Sequence, residues 1–186
     1  MARAAGRAGP GLPEPVRRRL QEAAGIGLLA AAVLLVVALG TYFRNDPGWT
    51  HVGGDGSVVN AGGRTGAWLA DVLFALFGYA AWAFPLLLAL RGWQLLRHLP
   101  APVMSTGQRW LRGGALVVLL LALCALLAIH FKVPQLAGEG IAPALRETLP
   151  ETAGGILGAN IGRAALQAFN LLGSTLVLLA LVLAAV

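Results

Sequence analysis

Asp71 is the residue of this chain best placed to do chemistry. It is the single charged residue in an apolar run from Ala67 to Leu90. An acid in such a run is costly, and it serves as a proton relay, an ion ligand or a hydrogen-bonding contact between helices. At roughly 100° per residue, Ala67, Asp71, Ala75, Gly78, Trp82 and Pro85 fall on one helical face. Leu69, Leu73, Leu76, Phe77, Ala80 and Phe84 fall on the other. The first face is mostly small and carries the charge, so it is the face expected to pack against protein and to serve assembly. Asp71 sits only about one turn inside the outer end of the run, where a hydrogen-bonded contact is the stronger expectation. The candidate partners are a neighbouring helix or the Gly62–Gly66 approach.

Other chemistry is harder to place. No Gly-x-x-x-x-Gly-Lys-Ser/Thr loop is present to cradle a phosphate. Neither His-Glu-x-x-His nor Gly-x-Ser-x-Gly occurs. His51, His98 and His130 are far apart and read as a loop residue, an inner-surface residue and an outer-surface residue, so no metal site is nominated. The one cysteine, Cys124, lies inside an apolar run and can form no disulfide within the chain. Trp68, Trp82 and Trp93 read as interfacial belt and packing residues. No catalytic, cofactor-binding or metal-ligating residue is assigned.

The elements that must position Asp71 follow from composition. The 186 residues are 58% hydrophobic and 12% charged, against about half and a quarter in soluble domains. Ala23–Gly40, Gly113–Ile129 and Ala164–Val186 are uncharged, and Ala67–Leu90 is broken only by Asp71. Each approaches the roughly 20 residues that carry a helix across about 30 Å of hydrocarbon. The reading is an all-α membrane protein with four transmembrane helices, over about 20–42, 67–90, 110–130 and 171–186. Residues 1–19 form a flexible basic tail ahead of the membrane domain 20–186. Outer loops cover about 43–66 and 131–170, and an inner loop about 91–109.

The net charge of +6 is a topology signal. Nine positive residues (Arg3, Arg7, Arg17, Arg18, Arg19, Arg91, Arg97, Arg109, Arg112) flank one side of the spans. Five (Arg44, Arg64, Lys132, Arg146, Arg163) flank the other, which assigns both termini to the cytoplasm. The first apolar run exceeds a signal-peptide core and lacks a small-x-small cleavage pattern, so it is read as an uncleaved span.

The connections carry their own signals. Asn45-Asp46-Pro47-Gly48 is turn chemistry, with Tyr42, Phe43 and Trp49 as an interfacial aromatic belt. Pro85 is expected to kink the second span near its cytoplasmic third. Arg91–His98 reads as an amphipathic stretch at the inner surface, and a short helix is expected around Ala144–Thr148. Gly154, Gly158 and Gly162 form a small-xxx-small register, which is a close-packing helix face. The recurrence of Arg163, Gln167 and Asn170 supports a second reading, an amphipathic helix over Gly155–Asn170 lying on the periplasmic surface. Span four then opens at Gly173-Ser174 and is short, so the chain is expected to be a piece of a longer protein. No internal repeat is evident.

With these residues in view, the chain resembles the amino-terminal membrane domain of the FtsK/SpoIIIE family of bacterial DNA translocases. The resemblance rests on Arg17-Arg-Arg-Leu20, on Asn45-Asp-Pro-Gly-Trp49, and most on Asn60-x-Gly62-Gly63-x-x-Gly66-Ala-Trp68-Leu-Ala-Asp71-x-Leu73-Phe74-x-x-Phe77-Gly78 with Pro85. Gly154-Gly155-x-x-Gly158 adds a weaker match, and the likeness covers about residues 17–186. It implies an inner-membrane anchor at the division septum that contacts other division proteins. In the family the anchor is followed by a linker, an ATP- and Mg-dependent motor that forms a hexameric ring, and a DNA-reading domain. ATP, DNA and hexamer formation therefore belong to parts absent here, while the lipid bilayer and division-site membrane proteins are this region's implied partners. The reading from a different class is a small transporter or channel subunit that uses Asp71 as its coupling carboxylate.

Overall fold

The computed structural model describes residues 13–50, 57–98, 104–131, 150 and 152–185. His51, the outer segment 132–149 with its expected short helix, and most of the basic tail lie outside the described residues. The described residues form five α-helices: α1 (Glu14–Gly40), α2 (Gly63–Phe77), α3 (Ala83–Leu96), α4 (Thr106–His130) and α5 (Gly155–Ala185). A 3-10 turn, Gly78–Trp82, joins α2 to α3. No strand occurs among the described residues. Among the described residues four helical stretches are long and apolar enough to cross a membrane, α2 and α3 counting as one stretch.

The helix starts are local. α1 opens with Pro15 in its first turn, where the missing N–H has no intrahelical partner to lose. Glu14 there pairs with Arg17 at 2.6 Å. The helix thus begins six residues before the expected Leu20, and Arg17–Arg19 ride on its first turns. α4 opens with a full capping box: Ser105 accepts from the Gln108 backbone N–H, and the Gln108 side chain accepts from the Ser105 N–H.

The second span departs from expectation. Its break lies at Gly78, where φ is 57° and ψ −138°, and not at Pro85. Tyr79 N–H leaves the helical ladder and donates to the Ala153 carbonyl at 2.8 Å. A Cβ on Gly78 would overlap that carbonyl, so backbone packing decides where the helix breaks. Pro85 sits in the first turn of α3, where no intrahelical donor is lost, and it produces no kink. The single face drawn from Ala67 to Pro85 therefore ends at Phe77; Trp82 closes the 3-10 turn and Pro85 belongs to the next helix.

The break redirects the chain. Gly62 and Gly66 lie against Ala38, Phe74 stacks edge-on with Tyr42 at 5.0 Å, and Trp82 lies beside Gly40. All these contacts fall between Ala38 and Tyr42, so α2 crosses the C-terminal end of α1 instead of running along it. α3 does run along α1. Gly92 packs on Gly25 and Leu29, and farther down His98 Nε2 lies 3.1 Å from Glu22.

The other half is arranged alike. α5 contains a non-helical residue, Asn170 (φ 56°, ψ −177°), that divides it in two. Its second half, 171–185, runs back along α4: Thr175 meets His130 at 3.0 Å, and Leu178 packs on Ala122 and Ala125. The first half, 155–169, crosses α4 near its C-terminal end. Gly154 and Gly158 both lie on the Cys124 carbonyl, and Gly162 lies on Ala125 and Ile129. The glycines of this segment pack on α4, and the helix it forms ends at Asn170 ahead of the last span. The two hairpins, α1–α3 and α4–α5, join at the break, where Gly155 lies on Leu76 and the Cys124 Sγ approaches the Phe77 carbonyl at 3.6 Å.

Candidate functional site

The polar chemistry gathers where α2 crosses the end of α1. Asp46, Asn60 and Asp71 are all buried there, at 6%, 3% and 5% exposure. Burial of polar side chains is tolerable only when their hydrogen bonds are made. Among the described residues no buried side-chain nitrogen or oxygen lacks a partner.

Asn60 closes two helix ends at once. Its Nδ2 donates to the Ala38 carbonyl at 2.7 Å and to the Thr41 carbonyl at 3.2 Å, groups left open at the end of α1. Its Oδ1 accepts from Gly62 N–H at 2.8 Å, just before α2 begins. A Cβ on Gly66 would approach that oxygen to 2.7 Å, which explains a glycine there. Thr41 Oγ1 completes the joint, accepting from Ala61 N–H at 3.0 Å and donating to the Val37 carbonyl at 2.7 Å.

Asp46 folds the loop over this joint. Its carboxylate accepts from the Val59 and Asn60 N–H groups at 2.9 and 2.8 Å, while its own N–H donates to the Phe43 carbonyl. Asp71 then holds the turn that follows. Its Oδ2 accepts from Thr50 N–H at 2.6 Å, its oxygens accept from Thr50 Oγ1 at 2.8 and 2.9 Å, and Oδ1 accepts from the Tyr42 hydroxyl at 3.3 Å. Gly48 makes this approach possible, because a Cβ there would stand 2.5 Å from Oδ2. A carboxylate with these donors ties a loop to a helix through charge-assisted bonds.

Of the partners expected for Asp71, the neighbouring span supplies Tyr42 at its end, and the loop adds Thr50. The Gly62–Gly66 approach is bonded by Asn60, whereas Asp71 reaches Thr50 and Tyr42. Tyr42 is not a belt residue: it is 5% exposed, under α2. Asp46 and Thr50 were missed as contacts. The Asn45–Gly48 turn signal could have exposed Asp46, since turn acids commonly accept from nearby backbone N–H groups.

The remaining nominated residues divide among three places. Asn60, Gly62 and Gly66 share the α1–α2 joint. Asp71 and half-buried Ala75 border a cavity of about 240 Å³, which also meets Thr50, Asn160 and Arg163. Gly78 and Gly154 meet at the seam between hairpins, Gly158 and Gly162 pack on α4, and Pro85 is buried in α3. Gly63 is open, and Trp68 and Trp82 are 48% and 41% exposed. The geometry is that of a bonded joint; among the described residues, no three His, Cys, Asp or Glu side chains group to hold a metal.

Comparison with known proteins places this architecture. The model of the 4TM region of DNA translocase FtsK/SpoIIIE matches residues 17–186. The chain is 44% identical over 169 residues to a DNA translocase FtsK of Pseudomonas syringae pv. syringae, covering 89% of this chain and 19% of that protein. It is 41% identical over 180 residues to that of Pseudomonas putida, covering 92% and 20%. A Vibrio parahaemolyticus relative is 37% identical over 166 residues, covering 87% and 14%. The chain thus spans about a fifth or less of the length of these relatives. No solved structure matches it.

Proposed function

The chain belongs to the family of the four-span membrane region of FtsK/SpoIIIE DNA translocases, and from that premise we propose that it anchors, localises and assembles a division-linked DNA translocase. The region matched is the membrane region and not the motor. In this reading the chain is a multi-pass domain of the bacterial inner membrane at the septum, with both ends cytoplasmic. It contacts other division-site membrane proteins and the bilayer. The ATP- and Mg-dependent pumping of double-stranded DNA, and the hexameric ring, belong to the rest of the parent protein.

The observation that carries the reading is the bonding of Asp71. The described partners of its carboxylate, Thr50 and Tyr42, are donors on the loop and helix end it holds in place. That is the role of a structural contact in an anchor, and it leaves the transporter or channel reading without a specific support. A fluorescent fusion of this chain in dividing cells tests the proposal. Enrichment at the septum, retained in Asp71→Asn and reduced in Asp71→Leu, is the expected result. Even distribution around the membrane would overturn septal targeting, and a correctly localised Asp71→Asn variant that fails in division would restore a proton or ion role.

A further inference from the structure

The two crossing helices border the cavity beside Asp71. They are clamped at one corner, where Gly155 lies on Leu76 with no room for a Cβ. Next to that corner the cavity, about 240 Å³, opens between Asp71, Phe74 and Ala75 of α2 and Ile156, Ala159 and Arg163 of α5. Within each helix these positions are three or four residues apart, so one face of each helix forms one wall. Phe74, Ala75, Ile156 and Ala159 make most of the lining apolar. Pockets that enclose a drug-sized ligand hold about 300–1,000 Å³, and one water in the liquid takes about 30 Å³. The cavity falls between these, at the size of a polar group of a few heavy atoms.

The polar groups differ between the walls. On one side the Asp71 carboxylate stands with the Tyr42 and Thr50 hydroxyls, and Thr152 adds another oxygen at the rim. On the other side Arg163, with Asn160 one turn before it, presents N–H donors. Among the described residues Arg163 makes no ion pair. A guanidinium offers its donors in a planar fork that fits a phosphate with two parallel hydrogen bonds. An ammonium brings three donors and no acceptor, which suits a wall of oxygens. A ligand that bridges this cavity therefore carries an anion at one end and a primary amine at the other.

We propose that this cavity seats the headgroup of a zwitterionic phospholipid, a phosphoethanolamine ester, with its phosphate on Arg163 and Asn160 and its ammonium on the oxygens of Asp71, Thr50 and Thr152. The occupant is a lipid because of where the cavity lies. Tyr42 comes just after the last turn of α1, a stretch long and apolar enough to cross a membrane. Trp49, next to Thr50, is 55% exposed. The end of a span beside an exposed tryptophan is headgroup depth. Ile156, half exposed at the edge of the cavity, offers apolar surface to the start of an acyl chain. A purely anionic headgroup satisfies Arg163 but brings no cation to the Asp71 wall, so the site selects the zwitterion. A bound headgroup ties α2 to α5 beside the seam. The site depends on the chain spanning a bilayer and stands apart from septal targeting.

Reconstitution of this chain in nanodiscs tests the site, with equimolar dioleoyl phosphatidylethanolamine, phosphatidylcholine and phosphatidylglycerol as the bilayer. After transfer to a mild detergent, native mass spectrometry counts the lipid retained per chain. Phosphatidylethanolamine should be retained about tenfold over either competitor, the factor that one charge-assisted contact supplies. Phosphatidylglycerol lacks the amine, and phosphatidylcholine carries its cation without N–H donors, so equal retention of the three overturns the proposal. Arg163→Gln, at an exposed position, should lower the retained phosphatidylethanolamine by about tenfold, and Arg163→Lys should restore part of it. Ala159→Leu, which fills the cavity without changing a charge, should lower it too. Retention unchanged in Arg163→Gln overturns the site, whether or not Ala159→Leu folds. Glycerophosphoethanolamine carries the same headgroup without acyl chains. At the lipid's concentration it should leave the melting temperature unchanged; a shift equal to the lipid's would reassign the cavity to a soluble zwitterion and overturn the lipid as occupant.

Discussion

Asn60 and Asp71 are both buried polar groups at one joint, yet their losses should differ. Asn60 spends both its donors and its acceptor on backbone groups at two helix ends. Asn60→Ala leaves those groups without partners, and at about 1–3 kcal/mol per stranded buried group the expected cost is about 3 kcal/mol. Asp71 has exposed Thr50 among its partners, whose N–H water can take over, so its loss strands fewer buried groups than the loss of Asn60. Asp71→Leu should therefore cost about 2 kcal/mol, and Asp71→Asn, which retains one acceptor, about 1 kcal/mol. Thermal unfolding of the detergent-solubilised protein reads the ranking Asn60→Ala, Asp71→Leu, Asp71→Asn from most to least damaging. If Asp71→Leu proves worse than Asn60→Ala, the carboxylate holds more of the molecule than its described bonds account for. The acid itself was legible in the sequence because its surroundings make it expensive. Its partner Thr50 was not, because a threonine in a loop is unremarkable until the fold brings it across.

At the scale of elements, the number and order of the spans were legible because uncharged runs of membrane length leave little choice. The breaks were not. Gly78 stands in a run, Phe77-Gly78-Tyr79-Ala80, that any apolar helix could contain, and what breaks it there is the Ala153 carbonyl from a distant part of the chain. Pro85 was the stronger local signal and proved silent, since a first-turn proline forfeits no helical bond. This reverses the usual order of damage. Gly78→Ala is strained by its positive φ and obstructed by the carbonyl, and should destabilise by about 2–3 kcal/mol. Pro85→Ala should shift stability by well under about 1 kcal/mol, apart from the entropy proline removes from the unfolded chain. Asn170→Gly keeps the break and should also be nearly neutral, whereas Asn170→Leu, at the same φ, should cost about 1–2 kcal/mol. Circular dichroism melts of the four variants measure the contrast, and equal losses for Gly78→Ala and Pro85→Ala would refute it.

At the scale of the whole molecule, the two hairpins are held together at one end. The described contacts between them cluster at Leu76–Tyr79, Cys124 and Ala153–Gly155, toward the C-terminal ends of α1 and α4. Toward the opposite side, the inner one in the topology proposed above, α4 stands exposed: Trp110 and Leu111 are each 79% exposed, and a Cβ on Gly113 or Gly114 would meet nothing within 4 Å. In water such a surface would be a liability, but hydrocarbon solvates it as well as a neighbouring helix would. Cohesion between the halves then comes from backbone approach at the seam, with little resistance to pivoting at the inner ends. Regions with few packed contacts open at low cost. Spin labels at Trp82 and Leu172, flanking the seam, should therefore give a narrow distance distribution in bilayers. Labels at Trp93 and Gly114, near the inner ends of α3 and α4, should give a broad one. Equal widths would mean that the inner halves are locked by a contact outside the single chain, and dilution of labelled with unlabelled copies would then separate a neighbour's grip from rigidity within the molecule.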